Sequence, residues 1–146
     1  MATATLDSST LTARGSTARR VLRRVGPVLA GLVTIFAATT AVDVVLHATG
    51  VFPPPGATGM THALCGLAFS YRAVIDVFGC YLTARLAPSR PMLHAMILGG
   101  IGVVLSILGA IAMWDPAFAW YPIALAASAI PSAWLGGRLA QRAAQR

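Results

Sequence analysis

Four apolar runs, each about 20 residues or longer, follow one another along this chain with very little charge inside them. They cover about residues 27–49, 61–84, 92–113 and 118–139. An α-helix needs about 20 such residues to cross roughly 30 Å of hydrocarbon. A soluble helix of that length shows a polar face to water, yet the run at 92–113 carries no charge at all. Inside a bilayer no water satisfies the backbone amides, so each run is expected to be helical throughout. The sequence therefore predicts an all-α chain, an integral membrane four-helix bundle with short loops, spanning residues 26–140.

The breaks between runs support this division. Gly50-Val51-Phe52-Pro53-Pro54-Pro55-Gly56 cannot continue a helix and makes a short, stiff loop. Two prolines and two arginines in Arg85-Leu86-Ala87-Pro88-Ser89-Arg90-Pro91 stop the second run, and Trp114-Asp115-Pro116 turns the chain after the third. Pro27 suits the first turn of a helix. Ahead of it, residues 1–25 are rich in Ser, Thr, Ala and Arg and are expected to be a disordered, basic cytoplasmic tail; residues 141–146 form a second one. The first run is too long for the apolar core of a cleaved signal, so it reads as a retained span.

Composition agrees with a lipid-facing surface. Of 146 residues 57% are hydrophobic and 10% charged, where a soluble domain carries about a quarter. The basic residues are all Arg and the acidic ones all Asp. A net charge of +7 raises nucleic acid as a partner, but the arginines flank the apolar runs instead of lining one soluble face, so no nucleic acid is expected. Outside the runs the arginine count alternates as five, none, two, none and three from the N-terminal tail to the C-terminal end. By the positive-inside rule both termini are cytoplasmic. Cys65 and Cys80 lie about 22 Å apart along one helix, too far to form a disulfide with each other.

Arg72 is the one arginine that topology does not use. It falls near the middle of the second run, where a lone charge costs about 2.5–3.5 kcal/mol on insertion scales. Asp76, one turn on, can share its helix face. In the first run Thr39, Asp43 and His47 recur every four residues, and the antiparallel second helix brings Arg72 to the depth of Asp43. The expected polar cluster is thus Asp43, His47, Arg72 and Asp76. Two carboxylates around one guanidinium leave a unit negative charge, which a proton or another cation neutralises. Such a cluster reads first as an ion-pair network that fixes helix packing, and second as a proton- or cation-handling site.

Small residues mark the packing faces. Gly99, Gly102, Ser106 and Gly109 form a seam on the third helix, and Ser128, Ser132 and Gly136 form another on the fourth, where Pro131 invites a kink. They serve contacts inside the chain or a homodimer seam. His62 and His94 stand near helix ends and are expected at the interface. No nucleophile–base pair, phosphate loop or cofactor motif is legible, so no catalytic residue, cofactor or metal is expected.

Several strings resemble a group of small four-helix bacterial inner-membrane proteins to which no activity is assigned. These are Val51-Phe52-Pro53-Pro54, Tyr71-Arg72, Ala84-Arg85-Leu86-Ala87-Pro88, Pro91-Met92, His94-Ala95, Trp120-Tyr121-Pro122-Ile123-Ala124-Leu125 and Trp134-Leu135-Gly136-Gly137. The likeness runs from about Thr40 to Leu139; where the group has Gly-Gly before the tyrosine, this chain has Gly79-Cys80. The resemblance implies the four-helix fold and a bacterial inner membrane, and no activity. The expected function is a non-enzymatic membrane component that packs with itself or with a partner membrane protein in the bilayer. The alternative is an oligomeric proton-coupled transporter or channel built on the Asp/Arg/His cluster.

Overall fold

The computed structural model describes residues 8–54, 59–112 and 114–146, with burial described from Arg23 onward. Four long helices make up the chain: α1 (Ser8–Ala48), α2 (His62–Leu86), α3 (Pro91–Ala112) and α4 (Trp120–Ala144). A single 3₁₀ turn at Pro116–Phe118 precedes α4. All four contain stretches long and apolar enough to cross a membrane, at Arg23–Ala48, His62–Leu86, Pro91–Ala112 and Trp120–Ala144. These agree with the expected runs to within a turn or so at each end; Met113, Pro55 and Gly56 lie outside the described residues.

The expected disordered tail differs. Residues 1–7 lie outside the described residues, but α1 begins at Ser8 and runs unbroken into the apolar stretch. Leu, Ala and Arg there are good helix formers, and no proline interrupts the chain before Pro27. Pro27 is consequently inside a helix and not at its start. It removes one backbone donor where the basic segment meets the apolar one, a place where a helix bends readily.

Local chemistry ends each helix where the sequence breaks. Gly50 has φ +74, and beside it the Phe52 amide donates to the Leu46 carbonyl at 3.0 Å, so the last turn of α1 closes on a left-handed residue. Phe52 is buried there and meets the His47 ring edge-on, 5.5 Å between centroids. The Thr61 hydroxyl accepts from the Leu64 amide at 3.3 Å and caps α2. Pro91 begins α3, and the Asp115 carboxylate accepts from the Ala117 amide at 2.9 Å.

The helices alternate in direction. Gly31, in the first half of the Arg23–Ala48 stretch of α1, abuts Gly79 and Thr83 late in α2, whereas Trp120 at the start of α4 reaches His62 at the start of α2. The bundle thus has a proximal end, where α2 and α4 finish, and a distal end, where they begin. Helix α2 is the hub and touches the other three, α4 lies against both α2 and α3, and α1 packs on α2. Between α1 and α3 contact is slight, and that side is the loosely closed one.

Glycine sets the close approaches. A Cβ on Gly136 would sit 2.6 Å from the Val77 carbonyl oxygen and 2.7 Å from the Tyr81 amide nitrogen, so α4 meets α2 backbone to backbone. Gly99 and Gly137 bring α3 and α4 close in turn, packing against the side chains of Ala133 and Met92. Small residues at such spacing let apolar helices gain dispersion contact without a solvent-driven force. The core is correspondingly small: Cys80, Ala84, Ala95, Leu98, Ala133 and Ala140 are buried, while Phe36 is 75% exposed and Ile111 72%. Large aliphatic side chains cover the outside of the bundle, and the exposed Arg23, Arg24, Arg85, Arg90, Arg138, Arg142 and Arg146 all belong to its proximal half.

Candidate functional site

With Asp43, one of the expected partners, but without Asp76 or the His47 ring, the polar cluster forms around Arg72. Its Nη2 donates to Asp43 Oδ2 at 2.7 Å, an ion pair between α2 and α1. Its Nη1 donates to the Tyr121 hydroxyl at 2.6 Å, which brings in α4. The Tyr71 hydroxyl donates to the other oxygen of Asp43. One guanidinium and one carboxylate thereby tie three helices together. The Arg72 carbon also lies 5.8 Å and 6.0 Å from the ring centroids of Tyr71 and Tyr121. Aromatic faces at such distances attract a cation.

Depth explains the choice of partners. Side chains on a helix lean toward its N-terminus, and α2 starts at the distal end. The long Arg72 side chain therefore runs from mid-helix toward the distal end, where Asp43 stands five residues before the end of α1 and Tyr121 second in α4. Asp76 lies one turn the other way and its side chain is short. Among the described residues it forms neither an ion pair nor a hydrogen bond. The expected Arg72–Asp76 pair along the helix is absent; an Arg preceding an Asp by four is also the weaker order for such a pair.

His47 does not join the side-chain cluster either. Its Nδ1 lies 2.7 Å from the Asp43 backbone carbonyl, and the ring is exposed. His62 accepts from the Trp120 ring nitrogen at 3.0 Å, within a distal aromatic group that includes Phe118. His94, expected at the interface, is buried at the proximal end, with its Nδ1 3.2 Å from the Arg90 carbonyl.

Asp76 instead lines a cleft of about 150 Å³ between α1 and α3, floored by α2. Leu32 and Ile35 of α1, Leu98, Gly102 and Ser106 of α3, and Cys80 of α2 are among its walls. No charged side chain other than Asp76 lines it.

The expected packing seams divide in a similar way. Gly99 and Gly102 face Ala133 and Ala129 of α4, Ser132 and Gly136 are buried, and the half-buried Ser128 bonds back to the Leu125 carbonyl at 3.0 Å. Ser106 lines the cleft. Gly109 has nothing within 4 Å of where a Cβ would stand, so it packs against none of the described residues. Nothing matches in the comparisons. No family model, curated protein or solved structure matches this chain. Tyr71 and Tyr121 are the members that spacing did not reveal. Among the described residues no three His, Cys, Asp or Glu side chains come together as a metal-binding group.

Proposed function

We propose that this chain is a multi-pass protein of a bacterial inner membrane, with both termini cytoplasmic. It acts there as a non-enzymatic component that packs with itself or with a partner membrane protein. The exposed aliphatic girdle supports the membrane reading, because contiguous apolar surface on this scale does not persist in water. The gathering of exposed arginines toward the proximal end supports the orientation.

The packing role rests on one observation: Arg72 and Asp43 answer each other, and a tyrosine hydroxyl bonds to each of them, across three helices. A half-buried charge pair of this kind gives the bundle one defined arrangement of α1, α2 and α4 more than it gives reactivity. The open face at Gly109 then offers the bundle to another helix, since small residues allow close approach.

Two measurements test this. Single cysteines replacing Met60 and Ser89, in a background lacking Cys65 and Cys80, should react with an impermeant reagent at Met60 and not at Ser89 in intact cells. Labelling at Ser89 alone would reverse the orientation. A Gly109→Cys variant oxidised in native membranes should give a covalent dimer, or a mixed product with a larger partner; monomer alone would remove the packing role.

The unpaired Asp76 favours a second reading, an oligomeric proton-coupled transporter or channel. Proton flux into proteoliposomes that falls in Asp76→Asn, and survives in a refolded Gly26→Ala control, would support it. Equal flux with and without the protein would exclude it.

A further inference from the structure

We propose that the cleft between α1 and α3 is a binding site for a small organic monocation, a protonated amine carrying an apolar group about the size of a benzene ring, with the Asp76 carboxylate as its counter-ion. This rests on reading the four helices as membrane spans.

Charge carries the first part. Arg72 binds Asp43, so the pair is neutral and its guanidinium is turned toward the distal end. Asp76 is left as the uncompensated charge at mid-helix, one turn away. Of the elements around the cleft, α1 contributes Leu32 and Ile35, α3 contributes aliphatic and small residues with the Ser106 hydroxyl, and α4 contributes Ala129. None carries a positive charge, and the remaining titratable neighbour is the Cys80 thiol on α2 itself. An isolated carboxylate in such a place is costly until a cation joins it.

Shape carries the second part. A cavity of about 150 Å³ walled by Leu and Ile holds a benzene-sized molecule. Small residues on α3 at Gly99, Gly102 and Ser106 make the space, and the slight contact between α1 and α3 leaves a lateral way in from the acyl chains. A hydrated metal ion finds too few oxygen ligands here, with one carboxylate and one hydroxyl on the walls. A second copy of the chain is a poor occupant as well. Its own arginines lie toward the proximal end, and its Arg72 is already engaged. An amine with an apolar body satisfies both the carboxylate and the aliphatic walls.

The test uses the full chain in zwitterionic nanodiscs, with methyl NMR signals of Leu32, Ile35, Leu98 and Leu105 as reporters. Benzylammonium is the probe and benzyl alcohol its neutral counterpart. Benzylammonium should shift these signals saturably, and Asp76→Asn should weaken its binding at least about tenfold, the ratio of one charge-assisted hydrogen bond. Benzyl alcohol should bind both proteins alike. Gly102→Leu keeps Asp76 and fills the cleft; it should abolish binding of both probes even if Asp76→Asn fails to fold. Equal benzylammonium affinity in Asp76→Asn, unchanged binding in Gly102→Leu, or no shift up to millimolar probe would each overturn the site. So would reporter signals that differ between discs holding one copy and two and ignore the probe, since a second copy would then be the occupant. Failure of the chain to enter nanodiscs, or same-side labelling at Met60→Cys and Ser89→Cys, would strike the span reading instead.

Discussion

Replacing Arg72 and its acidic neighbours in pairs separates a true partner from a nearby charge. Arg72→Leu removes the 2.7 Å ion pair with Asp43 and the 2.6 Å bond to Tyr121, and leaves Asp43 with Tyr71 alone. Hydrogen bonds to charged groups contribute about 1.5–3 kcal/mol, and breaking a fully buried pair costs about 3–5 kcal/mol. The side chains of Arg72 and Asp43 are 29% and 27% exposed, which places each single change below that upper range. We expect about 2–4 kcal/mol for Arg72→Leu and for Asp43→Leu. The double change should cost less than the sum by about 1–3 kcal/mol, the coupling seen for contacting residues. Combining Arg72→Leu with Asp76→Leu should instead show a smaller coupling than the Asp43 pair, because the two are neighbours on one helix that share no ion pair or hydrogen bond. Unfolding in mixed micelles by graded SDS, followed by tryptophan fluorescence, measures these four variants and Asp76→Leu alone. A coupling of Arg72 to Asp76 as large as that to Asp43 would refute the leaning-side-chain argument.

The remaining predictions concern packing and the tyrosines. Tyr121→Phe should destabilise the bundle by about 1.5–3 kcal/mol in the same titration, because the guanidinium loses its α4 acceptor. Gly136→Ala should destabilise by about 1–3 kcal/mol or more, since the new methyl meets backbone atoms that cannot step aside. Gly109→Ala should be neutral or gain up to about 1 kcal/mol from helix propensity, measured beside it. Thr83 is fully buried and its hydroxyl has no partner among the described residues, so Thr83→Val should stabilise by about 1 kcal/mol.

Spans and loops were legible because length and apolar run are what a bilayer selects, and prolines at 53, 54, 88, 91 and 116 mark the breaks. The Asp43–Arg72 relation was legible too, from counting depth along two antiparallel helices. Its other members were not. Tyr71 lies beside Arg72 in sequence and Tyr121 lies at the same depth on α4, but periodicity does not say that α4 packs parallel to α2. A usable signal existed: a buried guanidinium with five donors needs more acceptors than one carboxylate supplies. The lean of side chains toward the helix N-terminus would likewise have set Asp76 apart from Arg72. Helix seams misled in the same way, since Gly109 continues the spacing of Gly99 and Gly102 and yet faces open space. Spacing defines a face, and only the neighbouring helix decides whether it is used.

The reach of Arg72 toward the distal end also sets terms for how such a chain would be made. Helices leave the ribosome and meet the translocon in order, so α1 would arrive with Asp43 before α2 arrives with Arg72 and Asp76. Arg72 alone near the centre of a span would cost about 2.5–3.5 kcal/mol on insertion scales, and Asp43, nearer the end of α1, would cost less. The pair between α1 and α2 cancels most of that for both partners, but only while α1 is still close enough to be met. The first two helices would thus be committed to the lipid as one hairpin, with the nascent α1 waiting beside the channel. Lengthening the proline loop between them would delay the meeting and should show itself as α2 slipping through unspanned, long before any change in the finished fold.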